Sequence, residues 1–260
     1  MARRPADVDV KQSVKDIFLS KNEYRLVDDY VIRDGKKHPV ALLVPGGGYF
    51  MVSSFVEGVP IARMLNKKGI SAFILYYRVK KKAKYPAPQD DLARAVREIM
   101  EKQEEYNIDF DGYSIWGASA GAHLAASFGT ENIGYQKYGL PAPKALILAY
   151  PVISMDIAIT HGGSHDNLLG RNASLLDEEM TSVEKHIGEN YPATYFWCSL
   201  ADKVVDPLNS KRFAEALKAK GIRYEFRMFE NTDHGVGPGT GTNAEGWIDE
   251  AINFWLEEEN

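Results

Sequence analysis

At Ser119 the chain places a hydroxyl inside the run Gly117-Ala118-Ser119-Ala120-Gly121, where no neighbour is larger than alanine. The spacing is G-x-S-x-G, with the apolar run YSIWG (113–117) before it and an apolar helical run (120–128) after it. That context is the one in which a serine nucleophile sits on a very tight strand-to-helix turn. The turn strains the serine backbone and crowds the residues two places to either side, which is why glycine is needed there. A glycine-rich helix start with an N-cap serine is the plain alternative. The flanking strand and helix favour the nucleophile.

A serine nucleophile needs a base, and the base needs an orienting acid, in the chain order serine, acid, histidine. There are six histidines. His38 and His123 stand before or beside the serine, and His161, His165 and His186 fall in one long irregular segment. His234, in ENTDHGVG, follows the last strand-like run in a glycine-rich loop, which makes it the candidate base. For the acid, SLADKVVDPLNS offers Asp202 and Asp206. Asp206 precedes Pro207 and a helical run, an N-cap arrangement that accounts for it. Asp202, just past a strand end, has no such role and is preferred. Asp233 adjoins His234 and is badly placed to orient its neighbour's ring.

A second glycine cluster, Gly46-Gly47-Gly48, ends the apolar run VALLVP and exposes backbone N–H groups. Together with the N–H of Ala120 it predicts donors for an oxyanion, each worth about 10²–10³ in rate. No lysine and Ser/Thr follow it in the pattern of a nucleotide-phosphate loop.

The elements that would position these residues are legible as strand-like runs at 40–45, 70–77, 113–117, 144–152, 193–200 and 222–229. Helical patterns separate them at 59–68, 89–106, 120–128 and 207–220, and a last one spans 244–257. Continuous apolar strands alternating with helices predict an α/β protein with a parallel sheet covered on both faces. YRLVDDYVI (24–32) alternates and predicts an antiparallel edge strand. Residues 154–191 form an unusually long connection with weak helical signals, expected to be a cap over the strand ends. There is no internal repeat or low-complexity linker, so 1–260 is expected to be a single domain with that insertion.

The chain has 260 residues, 45% of them hydrophobic, and a net charge of -5, enough for one large core and no footprint for nucleic acid or an anionic membrane. No run approaches the roughly 20 apolar residues of a membrane span. MARRPADVDVKQ has no apolar run after its basic residues, which predicts no secretory signal. The lone Cys198, expected as a buried hydrophobe, fits a reducing compartment, so the expected location is the cytoplasm.

Taken together, PGGGY, EGVPIARMLNKKGISAFILYYRV, YPAPQDDLARAVR, GASAGAHLA, NLLG, LADKVVDP and DHGVG resemble the α/β-hydrolase superfamily. The nearest likeness is to small bacterial esterases that include acetylxylan and other carbohydrate acetyl esterases. The resemblance runs from about residue 45 to near the C-terminus. It implies an α/β-hydrolase fold with a mostly parallel twisted sheet of about eight strands. It also implies Ser119, Asp202 and His234 as a catalytic triad, with Gly47, Gly48 and Ala120 around the oxyanion. Hormone-sensitive-lipase-like relatives carry His-Gly-Gly-Gly where this chain has Pro45-Gly46-Gly47-Gly48. The expected reaction is hydrolysis of short, chiefly acetyl, esters of sugars through an acyl-enzyme. No cofactor and no metal are expected. The expected partner is a small-molecule ester, with no nucleic acid and no membrane, and a homo-oligomer is left open.

The substrate-contacting candidates are Tyr49 and His165. Tyr49, with Phe50 and Phe55, follows the glycine loop, where it lines an acyl pocket or packs in the core. His165 lies in HGGSHD, read as cap or substrate rim in preference to a metal site. The basic run 78–85 reads as a solvated loop. The competing readings are a peptidase on the same scaffold and a non-catalytic binding protein.

Overall fold

The computed structural model describes residues 26–257. The N-terminal stretch read for a targeting signal, and Tyr24 and Arg25 of the expected edge strand, lie outside them. Seven strands form one sheet: β1 (Val27–Tyr30), β2 (His38–Val44), β3 (Ser71–Leu75), β4 (Ile108–Ala118), β5 (Ala145–Ala149), β6 (Ala193–Ser199) and β7 (Tyr224–Phe229). Their spatial order is β1-β3-β2-β4-β5-β6-β7. The pairing of β1 with β3 is antiparallel and every other pairing is parallel. The α/β-hydrolase arrangement is therefore present, with seven strands among the described residues against the expected eight or so.

The helices are α1 (Ser54–Glu57), α2 (Val59–Lys67), α3 (Ala87–Glu101), α4 (Gln103–Tyr106), α5 (Ser119–Phe128), α6 (Gly162–Leu168), α7 (Leu175–Thr181), α8 (Leu208–Ala219) and α9 (Trp247–Leu256). Successive strand residues point to opposite faces, so each continuous apolar strand feeds two cores. In β4, Ile115 joins Phe73, Leu148 and Phe196 on one face, under Leu92 and Val96 of α3, Leu124 of α5 and Phe213 of α8. Its neighbour Trp116 joins Ile74, Ile147 and Trp197 on the other face, under Leu65 of α2 and Trp247 and Trp255 of α9. The helix expected over 89–106 is divided at Lys102, and β4 begins at Ile108, earlier than the apolar run that announces it.

Segment 154–191 contains α6, α7 and a 3-10 turn at Val183–Lys185. It is stitched to the sheet body by Asn209, which donates to the Ile159 carbonyl at 2.9 Å and accepts from the Ile153 and Ser154 amides at 3.0 Å. Among the described residues no helix is long and apolar enough to cross a membrane.

Candidate active site

Strand β4 runs directly into α5 at Ser119, whose φ of 52° is the strained left-handed value a tight elbow imposes. The flanking glycines are sterically required. A Cβ on Gly117 would lie 2.5 Å from the Ala122 Cα, and one on Gly121 would lie 2.0 Å from the Val44 carbonyl oxygen. The elbow thus sits hard against the end of β2, beside the glycine turn.

Three side chains from three strand ends converge here: Ser119 after β4, Asp202 after β6 and His234 after β7. His234 Nε2 stands 2.8 Å from Ser119 Oγ, and His234 Nδ1 stands 2.7 Å from Asp202 Oδ2. The other Asp202 oxygen accepts the amide protons of Val204 at 2.8 Å and Val205 at 3.0 Å. With Nδ1–H donated to the carboxylate, Nε2 is the acceptor for the serine hydroxyl. Burial pushes the Asp202 carboxyl upward, but the His234 hydrogen bond and the Val205 and Val204 amides outweigh it, so it lies below its ordinary value. Asp206 instead accepts the Leu208 amide at 2.8 Å at the start of α8, and Asp233 is exposed.

The turn after β2 has three consecutive left-handed residues, Gly47 (φ 117°), Gly48 (φ 62°) and Tyr49 (φ 56°). The Gly47 carbonyl is turned back to accept the Phe50 and Met51 amides at 2.9 and 3.1 Å. Gly46 N–H donates to Glu57 Oε2 at 2.8 Å. Among the described residues no protein acceptor takes the N–H of Gly47, Gly48 or Ala120. The first turn of α5 likewise leaves its leading amides without intrahelical acceptors.

Glu57 and Tyr150 escaped the sequence reading. The Tyr150 hydroxyl donates to Glu57 Oε1 at 2.9 Å and accepts Gly237 N–H at 3.1 Å, and its ring packs edge-on against His234 with centroids 4.7 Å apart. Burial raises the Glu57 carboxyl, and the hydrogen bonds from Tyr150 and Gly46 only partly oppose it. Nothing in a single sequence marks the pair, because a lone glutamate in EGVPIARM reads as helix surface.

Two substrate-contact assignments are corrected. Tyr49 has no exposure. Its left-handed backbone turns the ring into the core, where its hydroxyl meets His123 Nδ1 at 2.8 Å. His165 is buried between α6 and α7, with Nε2 3.0 Å from Glu178 Oε1 and Nδ1 3.2 Å from Asp166 Oδ1. The histidine of this segment that faces the site is His161: a Cβ on Gly48 would stand 3.5 Å from its Cε1. Phe50 and Phe55 are exposed. In the basic run Arg78 pairs with Asp91 at 2.9 Å and Lys84 reaches the Asp166 carbonyl at 2.8 Å. Among the described residues no three His, Cys, Asp or Glu side chains are grouped to hold a metal ion. Cys198 is buried, which pushes its thiol up to about 11.

Residues 28–217 match the family model described as BD-FAE. The chain is 35% identical over 229 residues to Endo-1,4-beta-xylanase B of Butyrivibrio fibrisolvens, covering 84% of this chain and 35% of that protein. It is 29% identical over 221 residues to an acetylxylan esterase of Xylanibacter ruminicola, covering 82% of this chain and 44% of that one. It therefore spans less than half the length of these curated relatives. Among solved structures, an acetyl ester-xyloside bifunctional hydrolase from Caldicellulosiruptor lactoaceticus superposes with a TM-score of 0.80 at 32% identity, covering 92% of this chain and 93% of that one.

Proposed function

The chain belongs to the BD-FAE family of α/β hydrolases, and from that premise we propose that it is a serine carboxylic ester hydrolase. In this reading it removes short acyl groups, acetyl above all, from sugar hydroxyls such as those of xylo-oligosaccharides. The observation that carries the reading is the unbroken relay from Asp202 through His234 to Ser119, with contacts of 2.7 and 2.8 Å, beside the free amides of Gly47, Gly48 and Ala120. The sugar part is supported by the names of the similar proteins, an acetylxylan esterase and an acetyl ester-xyloside hydrolase.

His234 Nε2 takes the Ser119 proton as Oγ attacks the ester carbonyl. The glycine-turn amides and Ala120 N–H hold the oxyanion, and Asp202 steadies the imidazolium. As the intermediate collapses and the ester C–O bond breaks, His234 gives the proton to the departing sugar oxygen, which leaves as a free hydroxyl. Water, deprotonated by the same imidazole, releases the acid from the acyl-enzyme. Segment 154–191 covers the rim of this site as a cap on a single domain.

The test is turnover of acetylated xylo-oligosaccharides, simple sugar acetates and an acyl-length series, with aminoacyl anilides as the peptidase arm and fluorophosphonate labelling in parallel. Expected are labelling at Ser119, fastest turnover on acetyl esters, and a loss of about 10⁴–10⁶-fold in Ser119→Ala. A folded protein that takes no label and cleaves no ester would sink the proposal, and faster anilide cleavage would make it a peptidase.

A further inference from the structure

We propose that His161 is a substrate-recognition residue whose Nε2–H donates to an oxygen on the alcohol part of the ester, a sugar hydroxyl or ring oxygen, and thereby favours carbohydrate esters over plain aryl or alkyl ones. The inference rests on the serine esterase reading above and goes further, to the group that reads the sugar.

The proton position follows from the helix start. His161 is the N-cap of α6, and its Nδ1 receives the Ser164 amide at 3.3 Å, with the Ser164 hydroxyl 2.9 Å from the same nitrogen. A backbone N–H can only donate, so Nδ1 is the acceptor and the proton of the neutral ring sits on Nε2. Burial holds the ring below the ordinary histidine value, the nearby His234 adds to this, and Asp202 only partly opposes it. The neutral, Nε2-protonated form is therefore the one present at neutral pH.

The ring's place is fixed as well. Its Cε1 lies against the glycine turn: a Cβ on Gly48 would stand 3.5 Å from Cε1 and 4.0 Å from Nδ1, which leaves Nε2 as the ring nitrogen turned away from Gly48. Asn167, one and a half turns along the same helix, donates to the Gly48 carbonyl at 2.9 Å and to the Gly163 carbonyl at 2.8 Å. The helix is thus pinned to the glycine turn, and the imidazole is held close enough to the acyl site to interact electrostatically with His234 and Asp202. Among the described residues no protein group accepts from Nε2. A half-buried donor held through its other ring nitrogen and without a protein partner of its own discriminates strongly between ligands that supply an acceptor and ligands that do not.

Two variants separate recognition from helix capping. His161→Asn keeps an N-cap acceptor but is too short to present the donor, and His161→Ala removes both. Each is assayed on acetylated xylobiose and on 4-nitrophenyl acetate, with fluorophosphonate labelling of Ser119 as the check on the elbow. Both variants are expected to lose about 10-fold more kcat/KM on the sugar ester than on the aryl ester, mainly through KM. Equal losses on the two esters, or an Asn variant matching wild type on the sugar, overturn the role of His161 while wild-type turnover leaves the esterase reading standing. A wild-type protein that neither labels nor turns over either ester overturns both.

Discussion

Tyr150 and Glu57 are 93 positions apart in the chain and share a buried hydrogen bond of 2.9 Å. Through it two loops become one unit: Glu57 holds the Gly46 amide at 2.8 Å, and Tyr150 holds the Gly237 amide at 3.1 Å while its ring supports His234. The pair thereby links the glycine turn to the loop that carries the imidazole. Tyr150→Phe keeps the ring but leaves the Gly237 amide and a carboxylate oxygen buried without that partner. The expected cost is about 1–3 kcal/mol in urea unfolding, with kcat falling more than KM changes. Stability within the error of wild type and an unaltered kcat would show that the two loops hold their spacing without it.

Asp202 offers a cleaner separation of chemistry from folding. Its Oδ1 accepts two backbone amides and its Oδ2 accepts the imidazole proton. In Asp202→Asn the amide oxygen is claimed by Val204 and Val205, so the NH2 must face His234 Nδ1. The imidazole proton then moves to Nε2, and Ser119 loses its base. Turnover of acetyl esters is expected to fall about 10²–10⁴-fold with little change in the thermal midpoint. Activity within tenfold of wild type would remove Asp202 from the proposed relay.

The residues legible in sequence are those fixed by the backbone. Ser119 stands out because Gly117 and Gly121 are demanded by contacts of 2.5 and 2.0 Å, which leave a pattern in the residue types. Asp202 and His234 stand out by following β6 and β7, and the apolar runs expose the strands themselves. Side-chain direction leaves no such mark. Tyr49 turns inward on a positive φ, and the choice between His161 and His165 depends on where α6 begins. As the N-cap, His161 faces Gly48, whereas His165, one turn later, faces Glu178. Glu57 and Tyr150 acquire meaning only once the fold joins them.

The elbow glycines give a steric prediction with an internal control. Gly121→Ala would drive a Cβ to 2.0 Å from the Val44 carbonyl, with backbone rather than a flexible side chain in the way. A cost of about 2–4 kcal/mol and loss of Ser119 labelling are expected. Gly112→Ala, in the same β4–α5 unit, meets only the Lys144 Cδ at 3.8 Å and should fall within about 0.5 kcal/mol of wild type. Similar denaturation midpoints for the two variants would contradict the packing at the elbow.

His123 makes the fold sensitive to acid independently of the relay. It is fully buried in α5, accepting from the Tyr49 hydroxyl at Nδ1 and donating from Nε2 to the Thr181 carbonyl, each at 2.8 Å. Burial pushes it down from 6.5 to about 4, and the Thr181 hydrogen bond opposes this only in part. Between those values the unfolded chain binds a proton that the folded chain refuses. Stability is therefore complete above pH 6.5 and is lost as pH falls toward 4, by roughly 3 kcal/mol over the window. His123→Gln, which can donate to Thr181 and accept from Tyr49 without titrating, should show a flatter slope across that range even if it is less stable at pH 7.5. Parallel pH profiles of unfolding free energy for the two proteins would assign the acid loss to other groups. A steeper wild-type slope would place it at the contact that ties α5 to the end of α7.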